Sequence, residues 1–104
     1  MNCSSLSNIS LGENIETIDD YAFQYCSNLE TITLPSSTKA LGIDIFNGCD
    51  NLSAIYVKAT TPPISKPFDY TDKSIPVYIP TGCKTAYAEA DGWKEFTNII
   101  EMNF

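Results

Sequence analysis

The sequence predicts a short right-handed solenoid, an α/β fold rich in β-structure. One face is a parallel sheet, short helical turns close each coil, and a helix-and-strand cap covers the C-terminal end. Three observations predict this. A cysteine recurs at Cys3, Cys26 and Cys49, a step of 23 residues. An apolar alternation follows each one in step: Leu6, Leu29 and Leu52, then Ile9, Ile32 and Ile55, then Leu11, Leu34 and Val57. Near residue 80 this period gives way to helical spacing. A 23-residue unit cannot bury its apolar face alone, but units stacked in register can, with parallel strands about 4.8 Å apart.

Each element follows from its own residues. Ile-x-Leu alternation reads as a short half-buried strand. Gly12-Glu13-Asn14 and Pro35-Ser36-Ser37 are turns that end the first two. A second apolar row aligns Ile18 with Leu41 and Ile64. Asp19–Tyr25 reads as one helical turn with Asp19 as N-cap, and Phe23 aligns with Phe46. In the third unit the aromatic is Phe68, one residue early, and Thr60-Thr61-Pro62-Pro63 intervenes, so a remodelled second half is expected there. Ile75–Pro80 supplies a fourth strand, with Val77 and Ile79 at a spacing of 22. Thr81 is placed to N-cap a helix through about Ala90, whose apolar face is Cys83, Ala86, Tyr87 and Ala90. Gly92 stops it, Trp93 and Phe96 add apolar surface, and Asn98–Met102 makes a last short strand. The chain is thus one domain, 1–104, with repeats at about 3–25, 26–48 and 49–71 and a closing coil and cap at about 72–104. Met1 and Asn2 are too few to cover the first coil. An open N-terminal edge is therefore expected, with homo-association through it and a longer parent chain.

Composition narrows the function. A formal charge of −7 over 104 residues repels phosphate backbones and anionic membranes, so nucleic acid is not an expected partner. No apolar run reaches the roughly 18 residues of a membrane-spanning helix, and no leader precedes the first repeat, so membrane insertion is not expected.

The cysteines are candidates for chemistry. Three of them stand 23 apart, the chain has no histidine, and no clustered metal spacing occurs, so no metal or other cofactor is expected. No cationic neighbour is placed to activate a thiol. Cys3, Cys26 and Cys49 read as a buried ladder of packed thiols, since side chains in register point the same way and suit disulfide geometry poorly. Cys83 is expected to pack too. The acidic pairs Asp19/Asp20 and Asp69/Asp72 lack any calcium-loop pattern and read as caps and solubilising groups. No catalytic motif is present, and no enzyme is expected. The Asn-x-Ser sequons at Asn2, Asn8 and Asn51 read as chance.

The binding candidate is the outward face of the strands. With Ile9, Leu11 and their equivalents inward, Asn8, Ser10, Thr31, Thr33, Ala54, Tyr56, Lys58 and Tyr78 point outward. Ser10, Thr33, Tyr56 and Tyr78 should form one row. Tyrosine gives rigid amphipathic contact area for a protein or glycan ligand, although strand propensity alone also favours Thr and Tyr.

The stretch "CSNLETITLPSSTKALGIDIFNGC", Cys26 to Cys49, resembles a 23-residue leucine-rich repeat of the BspA-like class, C-x-x-L-x-x-I-x-L-P, then I-G, then A-F and the next Cys. Ile18, Ala22, Phe23 and Cys26 match it, while Thr38 stands where an aliphatic is usual and Ile45 where Ala is usual. "VYIPTGCKTAYAEADGWKEFTNIIE" resembles the segment that often closes such domains. The resemblance implies a non-catalytic interaction or adhesion domain of a bacterial surface or secreted protein. A terminal structural segment of a longer array and a carbohydrate-binding module are the alternatives.

Overall fold

The computed structural model describes residues 7–66, 68 and 71–104. Its strands are β1 (Asn8–Ser10), β2 (Thr17–Ile18), β3 (Thr31–Leu34), β4 (Ala40–Leu41), β5 (Ala54–Val57), β6 (Val77–Pro80) and β7 (Ile99–Met102). A helix α1 (Lys84–Glu89) and a 3₁₀ turn (Trp93–Glu95) lie between β6 and β7. The main sheet runs β1-β3-β5-β6-β7, parallel throughout, and β2 pairs β4 in a second small parallel sheet. The register is the repeat itself: Ile9 pairs Ile32 and Ile32 pairs Ile55, each a step of 23, while Ile55 pairs Val77 and Val77 pairs Ile99 at 22. The chain therefore forms a parallel-strand solenoid of about four turns.

Alternation decides what is buried. Ile32, Leu34, Ile55, Val57, Val77 and Ile79 are fully buried, as inward residues of a period-2 pattern must be. On the other side of the core, Phe23, Phe46 and Phe68 form a column, with successive ring centroids 6.1 Å apart and planes within 16°. The cap ends this column: Trp93 and Phe96 meet Phe68 at 5.1 and 5.2 Å with their rings tilted across it. Trp93 and Tyr87 are fully buried, and their polar atoms find partners in the third coil. The Trp93 indole N–H donates to the Pro63 carbonyl at 2.9 Å, and the Tyr87 hydroxyl donates to the Ala59 carbonyl at 2.6 Å. Ala59 immediately precedes the Thr-Thr-Pro-Pro stretch and Pro63 ends it. The remodelled half of the third coil thus presents carbonyls to the cap where a regular coil would turn.

Several local expectations are corrected. Ile64 does not continue the row of Ile18 and Leu41. It bridges Ala40, a step of 24, so Ser65 takes the core place and Ile64 is turned out, 78% exposed. A one-residue slip exchanges the inner and outer faces of a strand. Thr81 does not cap α1: the N-cap residue is Cys83, with no side-chain bond. The Glu101 carboxylate on β7 accepts the N–H groups of Gly82 and Lys84 instead, while the Thr81 hydroxyl bonds Asn103. Ala86 is exposed, because the helix is six residues long and presents only Tyr87 fully to the core. At 19–26 the backbone makes consecutive tight turns, Ala22 to Asp19 and Cys26 to Phe23 among them. There it is Asp20, not Asp19, whose carboxylate accepts a backbone N–H, from Ile43 in the next coil at 2.8 Å.

Candidate functional site

The outward row is continuous. Ser10 pairs Thr33, Thr33 pairs Tyr56, Tyr56 pairs Tyr78, and Tyr78 pairs Ile100. Ser10 is exposed and the others are half-buried, as side chains standing side by side on an open sheet face are. Tyr56 and Tyr78 stack with centroids 4.7 Å apart and planes 11° from parallel. That separation is the strand spacing, so parallel in-register pairing imposes the stack. Thr31 lies in the adjacent row, where its hydroxyl donates to the Asn8 side-chain oxygen. Ala54 in that row is buried, against expectation, because a methyl group is overtopped by its larger neighbours. Lys58 follows β5 and ion-pairs weakly with Glu13 at 4.0 Å, both groups well exposed.

The structure adds three residues to this face that the repeat did not reveal. Pro80, Ile100 and Met102 lie in register beside the tyrosines, half-buried, through the β6–β7 pairing. The signal that finds them is the 22-residue step from Val77 to Ile99. Among the described residues no Asp or Glu takes an outward position within β1, β3, β5, β6 or β7. The row from Ser10 to Ile100 thus carries no carboxylate of its own, polar at Ser10 and Thr33 and increasingly apolar toward Ile100, with Glu13 reaching Lys58 at its margin.

The cysteine ladder is corrected. Cys26 is fully buried and disulfide-bonded. Cys3 lies outside the described residues. Cys49 and Cys83 are free and partly buried. The Cys49 thiol donates to the Phe23 carbonyl at 3.0 Å, and burial pushes its pKa up, which disfavours the nucleophilic thiolate. Burial likewise pushes the Tyr87 phenol up. Among the described residues no three His, Cys, Asp or Glu side chains converge as metal ligands would. Asp69 lies outside the described residues, and Asp72 accepts two hydrogen bonds from Ser74, which lower its carboxyl pKa. Among the described residues no helix is long and apolar enough to cross a membrane.

Comparison with known proteins gives one match. The model of a protein family described as a BspA type leucine rich repeat region, of six copies, matches residues 1–100. No curated protein matches the chain, and no solved structure does.

Proposed function

Because the chain belongs to the BspA-type leucine-rich repeat family, we propose that it is an interaction domain that binds a protein ligand through its strand face. Repeats of this family build protein-interaction scaffolds that are typically not enzymes. The observation that carries the reading is the stacked Tyr56–Tyr78 pair, set in an outward row whose own positions hold no carboxylate, in an acidic domain. Ser10, Thr31, Thr33 and Lys58 complete the contact surface, with Ile100 as apolar flank. The tyrosines are already held by their strands, so docking costs little ordering entropy. Stacking also covers the inner face of each ring. What remains offered is a ridge of ring edges and phenol hydroxyls, which suits a polypeptide better than a sugar ring seeking an open aromatic platform.

The setting we propose is the surface or secreted space of a bacterium, with adhesion as the use of the contact. The Cys26 disulfide supports an oxidising compartment. The cap favours a second role alongside binding, as the closing segment of a repeat array, since Trp93 and Phe96 seal the end of the phenylalanine column. The test is selection of a random phage-displayed peptide library on the immobilised domain. Enriched clones should lose binding to a Tyr56→Ala/Tyr78→Ala variant. Clones that bind the variant equally well would refute the strand-face assignment, and strong hits on a glycan array would favour a carbohydrate ligand.

A further inference from the structure

The strand face differs from end to end, and the difference gives a ligand a direction. Identical repeats would offer a bound segment the same chemistry at every coil, and nothing in them would fix which way it lies. Here the Tyr56–Tyr78 ridge divides the outward row into two unlike flanks. On the β3 side it falls to Thr33 and then Ser10, both hydroxyl residues. On the β7 side it falls to Ile100, with Pro80 and Met102 paired in the next outward row. All three are half-buried. Ile100 and Met102 come from the cap rather than from a repeat. Their strand is anchored on its inward side: Ile99 is buried, and the Glu101 carboxylate accepts the N–H groups of Gly82 and Lys84 at 3.0 Å. Ile100 lies between these two anchored residues and is presented at a fixed place.

Both flanks lack charge. Among the described residues the outward positions of β1, β3, β5, β6 and β7 hold no Lys, Asp or Glu. Lys58 follows β5 and is already approached by Glu13 at 4.0 Å. The domain as a whole carries −7, which draws basic ligands toward its surface at long range. Contact is decided differently. A charged side chain seated on either flank would give up water and find no counter-ion there, a penalty that rejects it. An aliphatic or aromatic side chain beside Tyr78 and Ile100 has no such hydration to lose. Small hydroxyl or amide side chains find hydrogen-bonding partners at Thr33 and Ser10.

Resting on the strand-face reading, we propose that the ligand is an uncharged polypeptide segment that lies across the strands in one direction. Its apolar anchor residue sits on the cap side, against Tyr78, Ile100, Pro80 and Met102. Its hydroxyl or amide residues run over the tyrosine ridge toward Thr33 and Ser10. The anchor corner carries most of the binding free energy, since water is expelled from it most fully.

The test sequences the clones that the immobilised domain enriches from a random phage-displayed peptide library and that the Tyr56→Ala/Tyr78→Ala variant fails to bind. They should share an apolar residue at one end of a stretch depleted of Asp, Glu, Lys and Arg relative to the unselected library. The corresponding synthetic peptides should bind Ile100→Ser and Met102→Ser at least about tenfold more weakly than the parent, and Thr33→Ala with a smaller loss. A nitroxide at the apolar end of such a peptide should broaden the Ile100 and Met102 amides of the ¹⁵N-labelled chain, and one at the other end those of Ser10 and Thr33. Selection on Ile100→Lys should enrich Asp or Glu at the anchor position, a gain that a merely unfolded variant could not give. Ridge-dependent clones rich in charged residues, or nitroxides at either end broadening both flanks alike, would overturn this proposal and leave the strand-face reading standing. Failure to enrich any ridge-dependent clone would overturn both.

Discussion

Replacing Thr38 with valine should stabilise the protein. Thr38 is 3% exposed, and its hydroxyl is one of two buried side-chain oxygens without a hydrogen-bond partner among the described residues. Its backbone N–H donates to the Pro35 carbonyl at 3.1 Å, a bond the substitution leaves intact. The equivalent residue one coil earlier is Ile15, so the site accepts an aliphatic side chain. Valine has the shape of threonine with a methyl group for the hydroxyl. Mutational data put the cost of burying an unpaired hydroxyl at about 1–3 kcal/mol, and relieving it at this half-loop position should return about 1–2 kcal/mol. An unfolding entropy of about 2.1 cal/mol/K per residue over 104 residues gives roughly 0.22 kcal/mol/K, so Tm should rise by about 5–9 °C. The assay is thermal unfolding followed by circular dichroism, with Ser65→Ala in parallel. Ser65 is also buried, but its hydroxyl donates to the Lys66 carbonyl at 2.8 Å, so that variant should lose about 0.5–1.5 kcal/mol. A Tm for Thr38→Val equal to or below that of the parent would refute the reasoning, since it would mean the hydroxyl is satisfied.

Other substitutions test the remaining contacts. Tyr87→Phe should cost about 1–2 kcal/mol by leaving the Ala59 carbonyl buried and unpaired, read as a lower urea midpoint at unchanged slope. Trp93→Ala should cost more, about 3–5 kcal/mol, because it also opens a cavity at the end of the phenylalanine column; enhanced dye binding by exposed apolar surface would accompany it. Gly42→Ala should destabilise by about 1–3 kcal/mol, since its Cβ would meet coil-one backbone at 2.4 Å, and a neutral result in chemical denaturation would show that the coils can shift. Thiol titration of unfolded, unreduced protein should count Cys49 and Cys83 only, against four cysteines after reduction. In the folded protein Cys49 should alkylate slowly. Its raised folded-state pKa contributes stability that is complete below the unfolded thiol value near 8.5 and is lost as pH rises through the folded value, so the stability curve should decline on the alkaline side and Cys49→Ser should flatten it.

Most of the fold was legible because the solenoid is a repeat, and a repeat writes its own register. Ile9, Ile32 and Ile55 are adjacent in space for the reason that they are periodic in sequence. The candidate row Ser10-Thr33-Tyr56-Tyr78 follows from the same arithmetic with parity added. The readings that failed lie where the period fails. Ile64 was assigned to the core because 41 and 23 make 64, yet the proline insertion shifts the backbone by one residue and hands that place to Ser65. Thr81 looks like a cap from its neighbours, but the helix N-terminus is satisfied by Glu101, 17 residues beyond Lys84, a partner no local pattern can supply. In-register side-chain directions argue against a disulfide at Cys26, and the bond is formed nonetheless.

By itself the sequence determined the parallel solenoid, its period, its inward residues and its closing segment, because those depend on spacing and alternation that every coil shares. Only the tertiary structure decided how the third coil bends to offer Ala59 and Pro63 to the cap, how Tyr56 and Tyr78 stack, and which carboxylate satisfies the start of the capping helix. These depend on contacts between unlike elements, each made once. A contact made once leaves no periodic trace in the chain, and its geometry exists only when the coils are assembled.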